Sequence, residues 1–146
     1  MAIYTQENGK AEGTVIEGCT FESVRAVILR NNEKFINNTV SAIMGVTIDD
    51  SATATVTGNT FTKTSRLKLY DTDSTISENK LLGNVVLDKT VPETNSKLSL
   101  NKNYWGENRT PADVLGENAI KVDGGNTNYY EADTMKPEDL NTYVPT

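Results

Sequence analysis

The stretch "VTGNTF", Val56 to Phe61, sets a Gly-Asn pair between two short runs of β-type residues. Standing alone, such a pair joins the strands of a hairpin. Recurring at a fixed spacing, it marks one corner of a repeated unit. The spacing recurs: an apolar residue, two variable positions, a central residue, one variable position and a second apolar residue. The copies are Ile16-Cys19-Phe21, Phe35-Asn38-Val40, Val56-Asn59-Phe61, Ile76-Asn79-Leu81 and Leu100-Asn103-Trp105, with centres 19, 21, 20 and 24 positions apart.

A second feature keeps the same register. Eight and ten residues after each centre come Val27 and Leu29, Val46 and Ile48, then Leu67 and Leu69; in the fourth copy Leu87 holds the eighth place and Val85 partners it two residues earlier. This alternation is strand-like, with one face buried. Polar segments follow ("RNNEK", "DDSAT", "YDTDS"), and the longer "DKTVPETNSK" absorbs the excess of the last spacing. Insertions are tolerated in loops because stacked strands are left undisturbed.

Short strands at one period with polar corners describe an all-β solenoid of about five coils, the first partial. Each coil pairs with the next about 4.8 Å away and buries its inward side chains in a continuous column. The inward set comprises the apolar residues named above together with Ile43. Each large side chain buried there contributes roughly 1.5–3 kcal/mol. The central residues Cys19, Asn38, Asn59, Asn79 and Asn103 form the expected structural ladder. Asn tolerates the left-handed backbone of a sharp corner, and stacked amides donate to one neighbour and accept from the next. Cys19 is expected as a small buried residue at the ladder's end.

Composition narrows the function. The 146 residues suit one domain, are 36% hydrophobic, and carry a net charge of -6 with basic residues scattered. That argues against a nucleic-acid partner. With no histidine, His-based triads and His-containing zinc sites are excluded. A single cysteine forms no intrachain disulfide. No apolar run approaches a membrane span, so no membrane insertion is expected, and the N-terminus lacks a signal-peptide core. An acidic, Thr- and Asn-rich chain fits an extracellular or cell-surface setting.

The repeated "VTGNTF" and "ISENKL" corners, ending in "LNKNYWG", resemble the right-handed parallel β-helix of the pectate-lyase-like superfamily. More closely, they are similar to β-helix regions of large bacterial surface and secreted proteins, where an "NYWG"-like segment commonly marks the last coil. The resemblance covers residues 14 to 106. This superfold hosts lyases, hydrolases, adhesins and inert stalks, so function has to be argued from a site.

Residues 1–106 are thus read as coils and 107–146 as an irregular C-terminal cap on the last coil. In the cap, "TPADVLGENAI" suggests a short helix with Thr110 as its cap and Pro111 in the first turn. A short strand is expected near Tyr129 and Tyr130, and a brief helical turn around Pro137 to Leu140. An open solenoid end exposes unpaired strand edges, which is why a cap is needed.

Enzymes of the resembled superfamily abstract a proton beside a uronate carboxylate with a Lys or Arg base, and Ca²⁺ offsets the developing charge. The matching ingredients are Arg66 and Lys68 on one strand, Asp71 and Asp73 beyond it, and Asp88 one coil later. Lys68 and Asp88 each fall nine residues after their corner Asn, which predicts an outward pair side by side. Asp49, Asp50, Asp71 and Asp73 occupy corresponding loops and make Ca²⁺ the one cofactor the carboxylates suggest. Tyr104, Tyr129 and Tyr130 are candidates to stack on sugar rings. Thr55, Thr57, Thr75 and Ser77 give a partial Thr array that Val15, Glu17, Lys34 and Ile36 interrupt.

The expected function is a non-catalytic structural or adhesive module of a bacterial surface or secreted protein. Its partners would be a carbohydrate or host-surface ligand and neighbouring domains of a longer chain. The alternative is a polysaccharide lyase or glycosidase acting on an acidic glycan through Arg66 or Lys68.

Overall fold

The computed structural model describes residues 3–4, 13–22, 27–49, 52–70, 72–87, 98–115, 130–133 and 135–140. Strands follow one another as β1 (Ile3–Tyr4), β2 (Val15–Glu17), β3 (Thr20–Phe21), β4 (Val27–Leu29), β5 (Lys34–Ile36), β6 (Thr39–Val40), β7 (Val46–Ile48) and β8 (Thr55–Thr57). They continue with β9 (Thr60–Phe61), β10 (Arg66–Leu69), β11 (Thr75–Ser77), β12 (Lys80–Leu81), β13 (Asn84–Leu87), β14 (Leu98–Ser99) and β15 (Tyr130–Glu131). They form three parallel sheets: sheet 1 in the order β1-β4-β7-β10-β13, sheet 2 as β11-β8-β5-β2 and sheet 3 as β12-β9-β6-β3. Every third strand therefore pairs, which is a parallel β-solenoid. Three complete turns lead from β2 to β11, fewer than the five coils expected. Past β13 the fifth corner adds only a bridge between Lys80 and Tyr104, and β14 pairs with β15 instead of β11.

The core is the expected column. Phe35, Val56 and Ile76 stack in sheet 2, Phe21, Val40, Phe61 and Leu81 in sheet 3, and Val27, Val46, Leu67 and Val85 in sheet 1. All are buried. Ile43 is a correction: it is 69% exposed, and Ala42 takes the inward position beside it. The reason is a tight turn, closed by Gly45 N–H to Ala42 C=O at 3.0 Å, which throws Ile43 outward.

A second correction concerns the fourth coil. Leu87 pairs with Leu69 rather than Leu67, and Lys68 lies beside Val86 rather than Asp88. The turn before β13 is shorter than in earlier coils. It closes on Gly83, where a Cβ would meet the carbonyl oxygens of Ser65 and Thr62 at 2.4 Å each. Only glycine fits such an approach.

The corners between sheets 2 and 3 divide the labour differently from the sequence expectation. The left-handed residue precedes the central one: Gly18, Asn37, Gly58, Glu78 and Lys102 have φ of 67°, 55°, 71°, 61° and 65°. Each central Asn is thereby free to turn its amide inward, and all four are at most 2% exposed. Every amide reaches back one coil. Asn38 Oδ1 accepts from Cys19 N–H (2.8 Å), Asn59 Oδ1 from Asn38 N–H (2.8 Å), Asn79 Oδ1 from Asn59 N–H (2.9 Å) and Asn103 Oδ1 from Asn79 N–H (3.1 Å). Their Nδ2 groups donate to the carbonyls of Ile16, Phe35, Val56 and Ile76, at 2.9–3.0 Å. Each Oδ1 thus satisfies an N–H that the preceding turn leaves unpaired inside the core, and each Nδ2 adds a bond to a carbonyl of the strand before that turn.

Beyond Trp105, Thr110 and Asp113 cap the helix α1 (Pro111–Leu115) reciprocally. Arg109 donates to the carbonyls of Leu82 and Gly83. Trp105 is buried and donates Nε1–H to Asp133 C=O at 3.1 Å. Met135 N–H bonds to Asn103 C=O, which repeats the coil-to-coil bonds of Lys80 to Asn59 and Tyr104 to Asn79. The segment around Asp133 therefore continues the stacking by one more corner, which no periodicity in the sequence announces.

Candidate functional site

The outer face of sheet 1 carries the most developed side-chain constellation among the described residues. Strand alternation sends Val27, Val46, Leu67 and their partners inward, which leaves Ile28, Thr47, Lys68 and Val86 in one outward row. Where the strands end, Arg30, Asp49 and Tyr70 occupy corresponding places, each eleven residues after its corner. Arg30 Nε lies 2.8 Å from Asp49 Oδ2, both side chains being partly buried. Lys68 Nζ sits over the Tyr70 ring, 5.3 Å from its centre, a cation–π contact. At the strand starts, Gly45 lets sheet 1 close up: a Cβ there would come within 2.0 Å of Arg66 O. Met44 C=O then accepts a long bond from Arg66 Nη2, 3.4 Å.

These residues line a pocket of about 230 Å³. Its walls hold three cations and one carboxylate, and that carboxylate is engaged by Arg30. Arg66 Nε is shielded from solvent and meets no hydrogen-bond acceptor among the described residues. A guanidinium edge with an unmatched N–H suits a planar oxyanion, which takes Nε–H and Nη–H together. Tyr70 adds a ring face of the kind that pyranose rings stack on.

The sequence candidates distribute as follows. Arg66 and Lys68 share this pocket. Asp73 does not; it lines a separate cleft beside β11. Asp71, Asp88, Asp50 and Tyr129 lie outside the described residues, and of Tyr130 only the strand β15 is described. Asp49, a candidate Ca²⁺ ligand, is paired with Arg30. No group of three or more His, Cys, Asp or Glu residues comes together among the described residues. Tyr104 is half-buried beside Lys80. Cys19 corrects its expectation: it is exposed, and its thiol reaches only the carbonyl of Glu17 at 3.4 Å. An amide at that place would serve a preceding turn, and none of the described residues supplies one at that corner. Sequence reasoning missed Arg30 and Tyr70, although their constant distance from the corner was a usable signal.

Comparison with protein-family models, curated proteins and solved structures finds no match. No helix among the described residues is long and apolar enough to cross a membrane.

Proposed function

We infer that this chain is a non-catalytic binding module of a bacterial surface or secreted protein, a rigid stack whose sheet 1 face holds an acidic carbohydrate. The observation that carries this reading is Arg66: a shielded guanidinium N–H without an acceptor among the described residues, flanked by Lys68 and Tyr70 in one pocket. A uronate carboxylate would take the Arg66 edge while Lys68 supplies long-range attraction and Tyr70 a stacking face. The resemblance to β-helix regions of surface proteins supports the setting.

Titration calorimetry with oligogalacturonate and with a neutral oligosaccharide of equal length tests the reading. Binding of the acidic oligomer alone, reduced about tenfold in Arg66→Ala, is the expected result; equal binding of both would overturn it. The lyase or glycosidase reading is favoured only by Arg66 and Lys68 sharing a pocket. New unsaturated or reducing ends after incubation with pectin or alginate would establish it against the non-catalytic one.

A further inference from the structure

Sheet 2 ends in an unfinished ladder. Successive coils are tied by one recurring bond: Lys34 N–H to Thr14 C=O (2.9 Å), Thr55 N–H to Glu33 C=O (2.9 Å) and Thr75 N–H to Ala54 C=O (2.8 Å). The next member would be Ser99 N–H to Ser74 C=O. It does not form: β14 pairs with β15, and sheet 2 ends at β11. The two coils meet again only at the corner, where Glu78 N–H reaches Lys102 C=O at 2.6 Å and Asn103 Nδ2 reaches Ile76 C=O at 3.0 Å.

Between them lies a wedge-shaped cleft of about 450 Å³. Backbone N–H groups along a strand point alternately to its two sides. Thr75 N–H points to Ala54, so Ile76 N–H and Ser74 C=O face the cleft, and neither meets a backbone partner among the described residues. Both residues are buried, Ile76 at 1% and Ser74 at 6% exposure, where unpaired backbone groups are costly. Thr75, Ser77 and Ser99 are among the lining residues, with Asp73 before β11 and Lys102 at the corner.

We propose that this cleft is a strand-addition site that takes an extended polypeptide segment parallel to β11. An acceptor and a donor two residues apart are what a single residue of a parallel strand satisfies, whereas an antiparallel partner exchanges both bonds with one residue. Ser74 N–H, which an antiparallel partner would need beside Ser74 C=O, is already given to Thr72 Oγ1 at 3.2 Å. Charge sets the preferred sequence. A parallel segment places its N-terminal end by Asp73 and its C-terminal end by Lys102, so a basic residue first and an acidic residue last complement the cleft.

Two measurements on the intact chain test this. In hydrogen exchange on the free protein, the Ile76 amide exchanges faster than its counterparts Phe35 and Val56 in the inner strands. Equal protection would mean that the chain itself fills the cleft, and the proposal fails. In a nuclear magnetic resonance titration, acetyl-Lys-Thr-Val-Thr-Glu-amide shifts the resonances of residues 72–77 and 99–102. Its version N-methylated at Val and its charge-reversed twin bind about tenfold more weakly, and Asp73→Lys, which leaves a cation at each end of the cleft, abolishes the preference between the twins. No shifts at millimolar peptide, or no effect of N-methylation, would overturn strand addition; shifts confined to sheet 1 would do the same.

Discussion

Two kinds of corner solve the same problem in this molecule, and only one of them uses a repeated residue. Between sheets 2 and 3, an Asn in every coil from the second onward reaches back to satisfy the turn before it. Between sheets 1 and 2, each coil improvises. In the second coil Glu33, fully buried, accepts from Arg30 N–H (3.1 Å) and Asn31 N–H (2.7 Å). The third coil puts Ala52 and Ala54 there, and the fourth Thr72 and Ser74, whose hydroxyls reach back to Ala52 C=O (2.8 Å) and Ala54 N–H (2.9 Å). One corner is a chain of identical amides; the other is a set of local solutions in which a polar coil serves an apolar neighbour. A corner built from one residue type tolerates no exchange, while the improvised corner tolerates variety provided each buried backbone group finds some partner.

Substitutions sharpen this contrast. The largest loss is expected for Asn59→Ala, about 3 kcal/mol in urea denaturation, because it leaves Asn38 N–H unmatched inside the core and takes a second bond from Phe35 C=O. Glu33→Ala should follow at about 2 kcal/mol through the two N–H groups it strands, with Glu33→Gln closer to 1 because one acceptor oxygen remains. If Glu33→Ala proved as harmless as a surface change, the improvised corner would not depend on its side chains, and the comparison would break. Lys102→Gly should stabilise by about 0.5 kcal/mol, since a lysine held at φ 65° pays for a left-handed backbone that glycine adopts freely. Cys19→Ala should stay within about 0.5 kcal/mol of wild type. A thermal shift larger than that would show that the first corner already holds a preceding turn.

The same contrast explains what could be read in advance. The Asn corners are legible because the bonds they make join equivalent positions in successive coils, and a bond between equivalents imposes a period on the sequence. Glu33 carries no such signature: it bonds within its own turn, and Ala54 and Ser74 occupy the corresponding place in the next two coils. At the pocket on sheet 1, Arg66 and Lys68 were identifiable as an outward pair on one strand. Arg30 and Tyr70 were harder to single out because each stands alone in its own coil and acquires its neighbour, Asp49 or Lys68, only in the folded chain. Asp73 looked like their companion along the chain, but the next corner carries it to sheet 2 and the cleft beside β11.

By itself, then, the sequence determined the parallel stacking, the inward column from Ile16 to Trp105 and the amides of the Asn corners. All of these follow from periodicity, because a solenoid repeats its environment once per turn. The tertiary structure decided what is not repeated: the shortened turn at Gly83, the exposure of Cys19 and Ile43, the extra corner at Asp133, and the parting of β14 from β11. Each depends on which groups meet at a turn or at an end of the stack, where a residue's surroundings are set by distant chain segments instead of by its equivalent one coil away.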